Sequence, residues 1–324
     1  MPDCSQNPSP TKCRGEFIGS ITKQHQINHD FYSLGIAFSA QAHQCLALAR
    51  AGQFIEIAVG NFNETRRTGS ILRRPFSIAG LNCSNKNKTN SNIGGPIRLE
   101  IIYQVLGPGT KSLMQQKPGA EISIIGPLGN GFTLPAETKP KIILAGGGVG
   151  LPPLYFWARQ LKQAGYRNIV AFAGARRKDL FAGEITEKNF PNDNPLFPQK
   201  ILKEFTRSST DCVVSTDDGS FGYHGSVVHA LEKYLTTNID WKNACIYACG
   251  PYGMLKAIAA LAQRLKMPCQ VCMEAYMACG IGVCQSCVVP VRDLENTNSN
   301  DSEQKYQLVC SDGPVFDAQQ IVWL

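Results

Sequence analysis

The chain changes its hydrophobic rhythm near residue 139. From Glu16 to about Leu134 the apolar positions fall in short β-like runs, among them Phe54 to Val59, Ile97 to Val105 and Glu121 to Ile125, separated by Gly, Pro and Asn. No long amphipathic helix interrupts them. Short strands with frequent turn signals predict an antiparallel sandwich or barrel. The polar stretch Asn82 to Asn92, rich in Asn, Lys and Ser, predicts an exposed hairpin insertion.

Beyond Lys139 strands and helices alternate. Lys141 to Ala145, Ile169 to Ala173, Cys212 to Ser215 and Cys245 to Cys249 predict strands, and Pro152 to Gln163, Val227 to Tyr234 and Tyr252 to Leu265 predict helices. That alternation implies a parallel sheet with helices on both faces. Asn189 to Gln199, with three prolines, predicts a loop insertion, and a small cysteine-rich module follows from about Lys266 to Leu324. The boundaries expected are a flexible tail over 1–13, then 14–138, 139–265 and 266–324. No internal repeat is visible.

A length of 324 residues suits two or three domains, and 43% hydrophobic with 18% charged residues is a globular composition. The net charge is +7, but the basic residues are scattered and their longest runs are Arg73-Arg74 and Arg176-Arg177-Lys178. A nucleic-acid binder would gather them into a patch. Met1 to Lys12 holds no apolar signal core. Ile142 to Ala158 is uncharged, yet four glycines and Pro152-Pro153 break it into strand, turn and helix. The expected location is therefore cytoplasmic.

In a reducing compartment thirteen cysteines are not a disulfide framework. Cys4, Cys13, Cys45, Cys83 and Cys212 stand isolated, while seven fall between Cys245 and Cys287, and Cys310 follows. Cys279-x4-Cys284-x2-Cys287 with Cys310 matches the plant-type [2Fe–2S] ligand spacing. Gly280 and Gly282 let that backbone wrap closely around a cluster. Zinc sites prefer paired knuckles, so iron–sulfur fits better, with zinc or plain core cysteines as the alternatives. Cys269 and Cys272 read as core residues of a strand over Pro268 to Met273.

Gly146, Gly147, Gly148, Val149 and Gly150 sit between strand and helix, where backbone N–H groups can hold a pyrophosphate. The match to G-x-G-x-x-G is poor, because its third glycine position is Leu151, and a plain tight turn remains open. Cys249-Gly250-Pro251 ends another strand, with Pro251 suited to the first helical position. Two glycine-rich strand ends in one parallel sheet can line one crevice, where Cys249 would lie beside a nicotinamide ring or simply be a buried strand cysteine. Arg73, Arg74, Pro75, Phe76 and Ser77 combine anion-binding charge, an aromatic face and a donor, as a flavin site needs. Taken alone, the segment reads rather as an edge strand with surface arginines. Gly107-Pro108-Gly109-Thr110 offers a second phosphate contact. Arg176 and Arg177 after the second strand are open to a 2′-phosphate or to solvent.

These segments in this order, with Gly126 to Phe132, Asp217 to Gly222 and above all Glu274 to Cys287, resemble the ferredoxin-NADP reductase superfamily. Within it the chain is most similar to electron-transfer subunits of class 1B dihydroorotate dehydrogenases. The resemblance covers about residues 15 to 324, and the cysteine motif is its most specific part. It implies an antiparallel β-barrel for FAD, an α/β parallel-sheet domain for NAD(H) and a C-terminal [2Fe–2S] module. Arg74, Pro75, Phe76, Ser77, Ile102, Tyr103, Gln104, Gly109 and Thr110 would hold FAD. Gly146, Gly147, Gly148, Gly150, Cys249, Gly250 and Pro251 would serve NAD(H), which the family favours over NADP. Cys279, Cys284, Cys287 and Cys310 would ligate the cluster. The partner implied is an FMN-containing dihydroorotate dehydrogenase catalytic subunit, in a heterotetramer with two of each. No catalytic acid or base is expected in this chain. The related alternative is a reductase subunit of a ferredoxin-dependent transhydrogenase, a hydrogenase or a sulfide dehydrogenase. Extra length at the N-terminus and at 82–95, 189–199 and 293–303 departs from the family pattern, as does Cys272, where a small polar or apolar residue is expected.

Overall fold

The computed structural model describes residues 13–59, 72–83, 96–135, 140–186, 194–292 and 304–324. The tail before Cys13, most of the 82–95 insertion, part of 189–199 and all of 293–303 lie outside the described residues.

The first half closes into a six-stranded antiparallel barrel, which settles the choice between sandwich and barrel. Its strands are β1 (Gly15–Gln26), β2 (Phe31–Phe38), β3 (Phe54–Ile57), β4 (Arg74–Cys83), β5 (Ile97–Gln104) and β6 (Glu121–Leu128), in the order β1-β2-β5-β4-β3-β6. Closure comes from β6 returning to β1, with Gly15 opposite Gly126 and Ser20 opposite Glu121. Period-two alternation fixes the register: Ile97, Leu99 and Ile101 are fully buried while Arg98 between them is exposed. Two seven-residue helices, α1 (Ala40–Leu46) and α2 (Pro108–Met114), cap the connections.

The second half is a seven-stranded sheet in the order β10-β9-β8-β7-β11-β12-β15. In chain order its elements are β7 (Ile142–Gly147), α3 (Leu151–Gln163), β8 (Ile169–Ala175), α4 (Lys203–Thr206), β9 (Asp211–Thr216), β10 (Tyr223–His224), α5 (Val227–Thr237), β11 (Cys245–Cys249), α6 (Tyr252–Leu265) and β12 (Cys269–Cys272). These ladders are parallel. A short β13 (Val288–Arg292) pairs with β14 (Gln304–Leu308), and β15 (Val315–Asp317) then joins β12 antiparallel. The sheet is covered on both faces, which explains its unbroken apolar runs. Ile142 and Leu144 pack toward α3 and the barrel, while Ile143 and Ala145 pack toward α5 and α6.

Helix α3 packs between the halves. Arg159 Nη2 donates to Ala79 O at 2.5 Å, and Gly80 leaves room for that guanidinium, since a Cβ there would collide with it. Ala51 N donates to Gln160 Oε1 at 2.9 Å. The C-terminal segment is tied to the barrel as well, because Asn130 Nδ2 donates to Asp312 O at 2.7 Å and Val315 N donates to Asn130 Oδ1 at 2.8 Å.

Two expectations need correction. Cys13 and Cys45 are not isolated: β1 begins beside α1, which brings their Cα atoms within 5.3 Å and joins them in a disulfide. Pro251 caps α6 from outside, at φ −58° and ψ 145°, and Tyr252 is the first helical residue.

Candidate functional site

Between barrel and sheet lies a cavity of about 390 Å³. β4 supplies Arg74, Pro75, Phe76 and Ser77 to its wall, β5 supplies Ile102, Tyr103 and Gln104, and α2 supplies Thr110. Cys249 enters from the end of β11 on the opposite side. Residues read separately along the sequence thus share one hollow, of a size that suits a cofactor-sized ligand. Phe76 meets Tyr103 edge-on at 5.7 Å between ring centroids.

The Tyr103 hydroxyl is buried without a hydrogen-bond partner among the described residues, and desolvation raises its pKa well above the usual phenol range. A buried orphan donor on a cavity wall is a place for a ligand's acceptor. Thr110 is committed locally, its Oγ1 accepting from Leu106 N at 2.9 Å and Gly107 N at 3.1 Å.

The glycine-rich turns lie outside this hollow. Gly109, Gly146, Gly147, Gly148, Gly150, Gly250 and Pro251 are absent from the cavity lining, and of the β7–α3 turn only Val149 reaches it. Gly150 lies so close to the Cys249 carbonyl that a Cβ would overlap it, and Gly250, at φ +155°, would press a Cβ on Gly147 O at 3.1 Å. The two strand ends named in the sequence are therefore packed backbone to backbone. A Cβ on Gly109 would stand 3.1 Å from Val59 and 3.5 Å from Arg74 Nε.

Sequence reasoning missed the third wall. Cys272 and the segment Met273 to Met277 line the cavity, with Phe54 and Pro314. The signal available was adjacency: this segment leads directly from β12 into the cysteine motif. Glu274 stands at the rim, partly open to solvent, and desolvation raises its carboxyl above the ordinary range. Cys272 faces Cys249 across the ladder, and its Sγ donates to Gly52 O at 3.7 Å.

The four cysteines predicted as ligands converge in two pairs. Cys284 N donates to Cys279 Sγ at 3.4 Å, and Cys310 N donates to Cys287 Sγ at 3.4 Å. Among the described residues no three His, Cys, Asp or Glu side chains close around a single ion. Gly280 and Gly282 hold φ +67° and +87°, the left-handed conformations that let the loop curl. The Ser286 hydroxyl contacts Cys284 Sγ at 3.1 Å and lowers that thiol to about 6. Burial beside Cys287 pushes Cys310 up to about 12. Cys287 and Cys310 are buried, whereas Cys284 is exposed, with Val283 (74% exposed) and Tyr276 (96% exposed) nearby in the chain.

Glu56 on β3 carried no signal in the sequence. It is 1% exposed, both carboxylate oxygens lack partners among the described residues, and its side chain lies against Gly280 of the cysteine loop. Desolvation raises its carboxyl to about 7, against the pull of Arg73 and Arg74.

A second, open hollow of about 830 Å³ lies beyond the end of β8, lined by Arg177, Lys178, Asp218 and Ser220. Arg177 is already engaged there: its Nε and Nη2 donate to the Asp179 carboxylate at 3.2 and 3.0 Å. Among the described residues no helix is long and apolar enough to cross a membrane.

Comparison with known proteins follows the same lines. Residues 274–322 match the model of the iron-sulfur cluster binding domain of dihydroorotate dehydrogenase B. The chain is 33% identical to the dihydroorotate dehydrogenase B (NAD(+)) electron transfer subunit of Geobacillus thermodenitrificans, covering 94% of this chain and 97% of that protein. It is also 33% identical to the same subunit of Desulforamulus reducens, over 85% and 88% of the two chains. Among solved structures, that of an NADH-dependent reduced ferredoxin-NADP oxidoreductase, described for flavin-based electron bifurcation, is 27% identical. It covers 94% of this chain and 90% of its own, with a TM-score of 0.68.

Proposed function

The chain belongs to the family of dihydroorotate dehydrogenase B electron transfer subunits, and from that premise we propose how its parts divide the work. Residues 14–138 hold FAD, 139–265 hold NAD(H), and 266–324 hold a [2Fe–2S] cluster. In the cytoplasm the subunit passes electrons from the FMN of a dihydroorotate dehydrogenase catalytic subunit to NAD⁺, for pyrimidine biosynthesis. The complex is a heterotetramer of two copies of each subunit.

The single observation that carries this reading is the cavity in which barrel, sheet and cysteine module meet. FAD, when bound, would supply both hydride chemistry toward a nicotinamide and single-electron chemistry toward an iron–sulfur centre, so its place is between the two. The residues present suit it. Arg74 supplies charge for the pyrophosphate, Phe76 an aromatic face, and Ser77 a donor near the ring. The orphaned Tyr103 hydroxyl gains an acceptor. Cys249, at the β11 end, bounds the space for the nicotinamide. Met273 to Met277 join this wall directly to the cysteine loop, so the two redox centres are neighbours by chain connection.

The Cys279-x4-Cys284-x2-Cys287 spacing with a distant Cys310 supports a two-iron cluster over zinc, which favours paired knuckles. The NAD(+) in the names of the similar electron transfer subunits supports NAD over NADP. A second reading, a subunit of a ferredoxin-dependent transhydrogenase, draws on the likeness to the NADH-dependent ferredoxin-NADP oxidoreductase. The co-purifying partner separates the two.

The decisive experiment uses the complex purified anaerobically. Wild-type protein should contain iron and flavin. Cys284→Ser should cut dihydroorotate-driven NAD⁺ reduction by more than about hundredfold, while NADH still bleaches the flavin. Zinc in place of iron, or undiminished coupled activity in the variant, defeats the proposal.

A further inference from the structure

Glu56 is a buried carboxylate with neither oxygen hydrogen-bonded among the described residues. It sits mid-strand in β3, opposite Pro75 of the flavin segment in β4 and Ile125 in β6. Its neighbours Ile55 and Ile57 point into the barrel. Alternation therefore sends Glu56 outward, onto the cysteine loop. There the contact is close: a Cβ built on Gly280 would stand 2.7 Å from both Glu56 Cγ and Oε1. The residue thus occupies the seam between the flavin segment and the loop that carries Cys279 and Cys284.

The charges around it leave it unpaired. Arg73 turns away, donating to Glu16 Oε1 at 2.6 Å, to Ser123 Oγ at 2.9 Å and to Ser123 O at 3.1 Å. Arg74 spends its Nη1 on the carbonyls of Leu72 and Arg73. An unpaired buried carboxylate is costly, and thiolates bound to metal beside it raise that cost, since like charges disfavour ionisation. The neutral acid avoids both penalties but then has an O–H to place. On the loop side it meets Gly280, the residue that follows Cys279 in the chain.

Resting on the cluster reading above, we propose that Glu56 stands as a neutral carboxylic acid that donates a hydrogen bond to the thiolate-bound cluster. It is a positioning residue that sets the cluster's reduction potential from the barrel side. Hydrogen bonds to cluster sulfurs favour the reduced, more negative state. The same contact explains why position 280 must be glycine for space as well as for backbone angle.

The test is a redox titration of the anaerobic holoenzyme at fixed pH, following the paramagnetic signal of the reduced cluster, for wild type, Glu56→Gln and Glu56→Leu. Gln keeps an N–H donor and no charge, so its midpoint should match wild type. Leu removes the donor, and at a fixed potential the reduced fraction relative to oxidised should fall about tenfold, the loss expected for one hydrogen bond to a charged acceptor. An unchanged Leu midpoint overturns the proposal. So does an upward shift in both variants, which would mean that wild type carries a carboxylate. Redox-difference infrared spectra of wild type and Glu56→Gln give an answer that does not depend on the Leu variant folding. A protonated-carboxyl band that shifts on cluster reduction and vanishes in Gln supports the proposal, and a carboxylate band in its place refutes it. Wild-type holoenzyme without iron would instead strike the functional reading itself, and this inference with it.

Discussion

The cysteines of strands β9, β11 and β12 and those of the loop that follows β12 are one residue type on two kinds of backbone. Cys212, Cys245, Cys249, Cys269 and Cys272 are buried in a covered sheet, and burial is the leading cause that raises Cys212 to about 12 and Cys269 beyond the usual thiol range. Cys212 and Cys269 therefore stay protonated, and all five pack as small apolar side chains. Cys279, Cys284 and Cys287 lie on a segment without regular structure, turned by two left-handed glycines, where Cys284 N donates to Cys279 Sγ. A strand sends neighbouring side chains to opposite faces, whereas a curled loop frees them from that alternation.

The comparison breaks hardest with a matched pair of substitutions. Cys279→Ala should lose nearly all cluster iron, while Cys269→Ala should keep a full complement and lose about 1 kcal/mol of stability for the buried atom removed. Iron per chain and urea unfolding read both. Equal iron loss in the two would mean that strand and loop cysteines are not distinct classes.

Gly280→Ala sharpens it next. The added methyl meets both a strained φ and the Glu56 carboxyl, so a cost of about 1–3 kcal/mol at the loop and a several-fold loss of iron are expected. Gly253→Ala, where a Cβ meets nothing within 4 Å, is the control and should leave iron unchanged.

The smallest effect concerns pH. Desolvation raises Glu56 from 4.5 to about 7, opposed by Arg73 and Arg74. A raised folded-state value means that its stability contribution is complete below about pH 4.5 and is lost as pH climbs through about 7. Glu204, raised to about 6 by burial, acts in the same direction, so the wild-type protein alone does not isolate Glu56. The difference between Glu56→Gln and wild type does. The variant should gain up to about 3 kcal/mol relative to wild type between pH 5 and pH 8. A gap that stays flat over that range would place the carboxyl outside this account.

Where the code is local, the residues spelled out the architecture. Period-two runs made the barrel strands, apolar runs divided by glycine turns made the parallel sheet, and Cys-x4-Cys-x2-Cys placed three thiols on one loop. The Arg74 to Ser77 segment carried its own chemistry, while Ile102 to Gln104 entered only through the family resemblance, and the fold brought both to one cavity wall. Only the tertiary structure joined Cys13 to Cys45, drew Met273 to Met277 into the cavity wall, and set Glu56 against Gly280. Spacing along a chain fixes what a few residues can do together. It carries no record of which distant segments fold against each other, because that is decided by how the barrel, the sheet and the last module bury their common apolar faces.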